Sequence, residues 1–218
     1  MINPINTTKR FCVLSGSSGI LGVVLLIISF NINPGPQPNA TLGQLIEFGN
    51  RYYAAILWGA WLQAVAPVLI VLFAFSLVKL AGATNTLAGW MTMFGAVVLM
   101  IVSLIEITFY IAAVFISPNI GILINLNTIH AVQHLYFIVA APTLFISLGT
   151  VLYGSKVLHG IFAWFAFFIG ILFGAIGMIF LLELVLPMWV TAIAGVQAIW
   201  WLAASISLIV RSKKLGSG

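Results

Sequence analysis

An α-helix needs about 20 apolar residues to cross about 30 Å of hydrocarbon. This chain offers six runs of that length: Phe11–Asn31, Tyr52–Val78, Leu87–Ile116, Thr128–Tyr153, Gly160–Glu183 and Met188–Val210. Little sequence is left between them, and the charged residues gather at their ends. The expected fold is therefore all-α: a polytopic transmembrane bundle of six helices, a single membrane domain over residues 1–218. Charged residues make up 5% of the chain, against about 25% in soluble domains. Nothing remains for a separate soluble catalytic domain.

The charges also predict an orientation. Lys9 and Arg10 precede the first run, and Lys79 follows the second. Lys156 and His159 lie between the fourth and fifth runs, and Arg211, Lys213 and Lys214 follow the sixth. On a six-pass path these all fall on one side, and Arg51 alone falls on the other. The positive-inside bias then places both termini in the cytoplasm. The expected location is the plasma (inner) membrane. The net charge of +5 reads as topology determinants beside anionic lipid. No basic cluster with interleaved aromatics occurs outside the runs, which argues against nucleic acid as a partner. The first run is long and lacks a small-residue cleavage site, so it reads as a retained helix.

The connections differ in character. Pro34, Pro36 and Pro38 make the first outer loop stiff and extended. Thr41 with Gln44 then fits a capping box, and Leu42, Leu45 and Ile46 share a face. A short helix on the outer surface and a plain solvated connector are both compatible with this segment. The second outer loop, Ser117–Asn127, is apolar and is expected to fold back over the bundle. Gly170, Gly174 and Gly177 on the fifth run, and Ser15, Gly19 and Gly22 on the first, are expected to allow close helix approach. Pro67 and Pro142 free a carbonyl four residues earlier and are expected to bend their helices.

Chemistry concentrates at one level. Glu106 lies in the third run, about 15 Å below its outer end at 1.5 Å per residue. A carboxyl at that depth must be paired, protonated or hydrated. Ser103 and Tyr110 flank it on the same face. His130 and His134 stand at i,i+4 on the fourth run, with Gln133 adjacent, and Gln63 and Gln197 sit at similar depth on the second and sixth. Trp58, Trp61, Trp200 and Trp201 are assigned to the same zone, while the inner half lacks comparable polar groups. The pattern predicts an outward-facing pocket with polar contacts and aromatic walls. Its candidate ligand-binding residues are Glu106, His134, His130, Tyr110, Gln63, Gln197 and Trp61.

Three readings of that zone stand side by side. One is a structural network tying helices together. One is a site that binds or transports a small or lipid-like ligand. One is a metal-dependent enzyme in which His130, His134 and Glu106 hold a divalent metal and leave a position open. Glu183, close to Pro187, reads as interfacial. No lysine lies in mid-run for a retinal Schiff base, and no aspartate exists for a Ser-His-Asp set. Two histidines on one helix do not suit a bis-histidine haem. Cys12 is the only cysteine, so an internal disulfide and a thiolate cluster are excluded.

The stretch Leu148-Gly-Thr-Val-Leu-Tyr153-Gly, followed by Gly160-Ile-Phe-Ala-Trp164 and Gly170, resembles an uncharacterised family of bacterial six-helix integral membrane proteins. The resemblance implies six spans and assigns no catalytic residue. The leading expectation is a non-enzymatic membrane component whose partners are the lipid bilayer and a small-molecule or lipid-like ligand, with no resident cofactor. A homo-oligomer or a structural subunit of a larger complex is equally compatible with so small a chain.

Overall fold

The computed structural model describes residues 4–33, 40–115, 128–129, 131–180 and 187–215. The regular structure in these residues is helical. Helix α1 spans Pro4–Ile32, α2 Leu42–Arg51, α3 Tyr53–Leu80 and α4 Leu87–Phe115. Helix α5 covers Ala131–Leu152, α6 Gly160–Phe180 and α7 Pro187–Leu215. All but α2 are long and apolar enough to cross a membrane. The chain is a multi-pass integral membrane protein built as a six-helix bundle.

Helix ends follow local chemistry. Thr41 caps α2 through a complete capping box with Gln44, and Leu45 turns inward. Helix α2 packs on α3 and α4, so the first connection carries a helix rather than a plain loop. Gly82 and Gly154 take positive φ, at 68° and 75°, just after α3 and α5. Only glycine adopts that conformation cheaply. Thr86 starts α4 by accepting the Gly89 N–H at 3.0 Å. Helix α7 continues beyond Val210 to Leu215, carrying Arg211 and Lys213 in helical register.

The spans pack in chain order, each against the next, and α1 against α7 closes the ring. Short connections make such antiparallel neighbours the default. The seam between α6 and α7 is the sparsest of the ring. Elsewhere glycines let backbones approach. A Cβ on Gly95 would lie 2.6 Å from the Leu144 nitrogen, and one on Gly170 would lie 2.9 Å from the Ile146 nitrogen. On α1, a Cβ at Gly16 would meet the Ser205 carbonyl of α7 at 2.7 Å, and one at Gly22 would meet the Ala66 carbonyl of α3 at 3.0 Å. Lipid tails are as apolar as leucine, so van der Waals contact of this kind supplies the attraction between spans.

A connected set of aromatic rings fills the space between α3, α5, α6 and α7. Trp201 meets Phe73 at 5.8 Å and Phe145 at 5.3 Å between ring centroids. Phe173 stacks on Phe145 and touches Phe137 at 5.2 Å. Phe73, Phe145 and Phe173 are fully buried. The fourth span departs from α-helical winding where the sequence requires it. Pro142 has no N–H to give the Ile138 carbonyl, and residues Tyr136–Ala140 form a π turn. The expected irregularity is thus a wide turn, taken up just before the proline.

Candidate functional site

Glu106 sits two-thirds of the way along α4, half-buried. Its two oxygens are claimed from opposite sides. Gln63 on α3 donates its side-chain N–H to Oε2 at 3.3 Å. Gln133 on α5 donates to Oε1 at 2.8 Å. Gln63 is 4% exposed, so leaving its amide unpaired would carry the full desolvation penalty. One carboxyl therefore joins three consecutive spans at a single level.

Three residues beyond Gln133, on the same side of α5, Tyr136 opens the π turn. Its hydroxyl donates to the Gln197 side-chain oxygen on α7. Gln197 is 8% exposed. The Tyr136 ring rests edge-on against Phe173 of α6 at 5.4 Å. Within one turn, α5 thus holds α4 and, through α4, α3; it also holds α7 and abuts α6. The π turn widens the helix locally, with the Ala141 N–H reaching the Tyr136 carbonyl five residues back.

The other expected residues fall in different places. Tyr110 and Ser103, one turn either side of Glu106, are half-buried. His134 is half-buried next to Gln133. Trp61 is 57% exposed and stands edge-to-face with Trp58, which is 64% exposed, on the flank of α3. They face outward from the bundle, as aromatic residues in a lipid-facing belt do. His130, Glu183, the loop Ser117–Asn127 and the prolines at 34, 36 and 38 lie outside the described residues.

Two expectations about depth change. Trp200 and Trp201 are core residues rather than walls of the outer zone. The Trp200 indole N–H donates to the Phe162 carbonyl at 3.1 Å, in the first turn of α6, at the end that the charges assign to the cytoplasm. The half of the bundle that the charges assign to the cytoplasmic side also holds polar groups. The Thr92 and Ser147 hydroxyls meet at 3.0 Å between α4 and α5, both buried. Beside them a groove of 400 Å³ runs along Leu87, Met91, Pro142 and Ile146. Met91 precedes Glu106 by about 22 Å of helix, so this groove is separate from the carboxyl.

Gln133 and Tyr136 are the two members of the site that sequence reading passed over. The signal for Gln133 was its depth and its place beside His134. Tyr136 carried none beyond its spacing from Gln133. Among the described residues no three His, Cys, Asp or Glu side chains group together as metal ligands. Comparison with protein-family models, with curated proteins and with solved structures found no match.

Proposed function

We propose that the protein binds a small or lipid-like ligand within the membrane, at a site centred on Glu106 in the outer half of the bundle, as a binding or transport component of the plasma (inner) membrane. One observation carries this reading: Glu106 is held by amide side chains from two different spans beside an irregular turn of α5. A fixed carboxyl with spare acceptor capacity, flanked by backbone that can rearrange, suits reversible binding. Tyr136 and Gln197 extend the polar surface toward α7. Tyr110 and His134 stand one turn and one residue from the bonded groups and complete the candidate set.

The same bonds favour a second reading, in which the cluster simply locks three spans together. Native mass spectrometry and metal analysis of purified protein distinguish the readings. A small or lipid-like molecule retained by wild type and lost from Glu106→Gln supports the binding role. Wild type free of any bound molecule, with Glu106→Gln of lower stability, supports the lock. A stoichiometric divalent metal would instead favour the enzyme built on His130, His134 and Glu106.

A further inference from the structure

The arrangement of hydrogen bonds around Glu106 specifies more than polarity. Both glutamines that reach it offer their nitrogens, at 3.3 Å and 2.8 Å. With each amide nitrogen turned toward the carboxyl, each amide oxygen is turned away from it and remains an acceptor. A carboxylate accepts up to about four hydrogen bonds, and the two amides use two. The third glutamine is arranged differently, since Gln197 accepts from Tyr136 through its oxygen.

Lysine and arginine are missing at this level. The eight Lys and Arg residues are Lys9, Arg10, Arg51, Lys79, Lys156, Arg211, Lys213 and Lys214, all at or beyond span ends. Lys79 is placed over the Phe11 ring at 4.9 Å. Arg211 donates to the Lys156 carbonyl at 2.9 Å. Arg51, on the other side, lies over the Tyr52 ring at 5.5 Å. Glu106 is deeper than Arg51 by more than two helical turns, because it precedes the outer end of α4 by nine residues.

From these two facts we infer the ligand class: a cation that donates hydrogen bonds, a protonated primary amine on an apolar body. The inference rests on the binding role proposed above and deepens it. An ammonium has three donors and no acceptor, which matches a carboxylate with spare lone pairs. A charge-assisted bond to the carboxylate is about twice as strong as a neutral one, and low polarity around it strengthens it further. A carboxylic acid or phosphate ligand would meet the like charge of the Glu106 carboxylate.

Octylammonium chloride, with octanol as the neutral match, tests this on the full-length protein in detergent. At about tenfold excess over its Kd, octylammonium should raise the thermal midpoint of wild type by about 3–6 °C. Octanol should not, and Glu106→Gln should be insensitive to both. Because that variant can lose stability, a second readout uses wild type alone. Octylammonium, but not octanol, should slow modification of Glu106 by a hydrophobic carbodiimide at least about threefold, which corresponds to a site two-thirds occupied. Equal effects of octylammonium and octanol, unchanged in Glu106→Gln, overturn the cation and leave an apolar pocket standing. No thermal shift with either, and no protection of Glu106, overturns both the ligand class and the binding role.

Discussion

Near one end of α4 the spans are joined by side chains, and three turns further along they are joined by backbone. Around Glu106, α3, α4 and α5 are linked by an amide on each carboxyl oxygen. At Gly95 the same α4 lies so close to Leu144 of α5 that a methyl group would sit 2.6 Å from a backbone nitrogen. The two contacts differ in what they tolerate. A glycine seat has one geometry, since close-packed backbones leave no room to shift. A carboxyl bonded by amides can exchange either partner for water or a ligand at a cost of about 1 kcal/mol. The rearrangement needed for binding is therefore expected in the half that carries Glu106, with the glycine-seated half as its fixed frame.

The comparison presumes which half faces out, and labelling tests that with an all-or-none effect. Cys12 is fully buried, so it is a silent background for introduced cysteines. Asn39→Cys should react with a membrane-impermeant maleimide on intact cells, and Ser217→Cys should react only after lysis. Reaction of Ser217→Cys on intact cells would invert the orientation and place Glu106 in the inner leaflet.

The next largest effect belongs to the frame. Gly95→Ala must push α4 away from the α5 backbone and should destabilise the folded state by about 2–3 kcal/mol in a detergent unfolding titration. Gly174→Ala is the control. Its new methyl would lie 3.7 Å from Pro142, an ordinary contact, and helix propensity should make it neutral or up to about 1 kcal/mol stabilising. Similar losses for both would mean that glycine flexibility, rather than close approach, is what the bundle uses.

The polar half should respond less and with chemical selectivity. Glu106→Ala leaves two amides without their acceptor and should cost about 1–2 kcal/mol. Glu106→Gln retains a hydrogen-bonding group and should cost less than about half of that. Equal stability of wild type and both variants would show that the carboxyl is hydrated in place and ties nothing together.

Much of this contrast was legible in the sequence. Run length announces six spans because hydrocarbon thickness sets a minimum that these runs exceed. Gly170 and Gly22 announce close approach because a missing Cβ matters most where another backbone lies near. Glu106 and Gln63 announce themselves because a buried polar group needs a partner. The partner on α5 was less legible. Depth counted along a helix fixes a level to about a turn, but it does not say which polar side chains of neighbouring spans will pair, so the bond of Tyr136 to Gln197 could not be read from it. Trp200 and Trp201 were misplaced because depth along one helix does not say which neighbouring helix a side chain packs into. Trp61 shares the depth of Gln63 yet points outward, since two residues on a helix differ by 200° in direction.

The smallest expected effect concerns the polar contact in the glycine-seated half, between Thr92 and Ser147. Their oxygens are 3.0 Å apart, which looks like a bond joining α4 to α5. Each hydroxyl, however, has one hydrogen. Thr92 also lies 2.8 Å from the Ala88 carbonyl of its own helix, and Ser147 reaches the Thr143 carbonyl of its own. If both hydrogens serve those carbonyls, the interhelical contact carries little. A double-mutant cycle of Thr92→Val and Ser147→Ala should then give a coupling near or below about 0.6 kcal/mol, the ordinary value for polar pairs between membrane helices. The cycle of Glu106→Ala with Gln133→Leu should exceed it, because the Glu106 carboxyl accepts its hydrogen from the neighbouring helix at 2.8 Å. A Thr92–Ser147 coupling above about 1.5 kcal/mol would erase the distinction drawn between the two halves, since both would then be held by directed bonds.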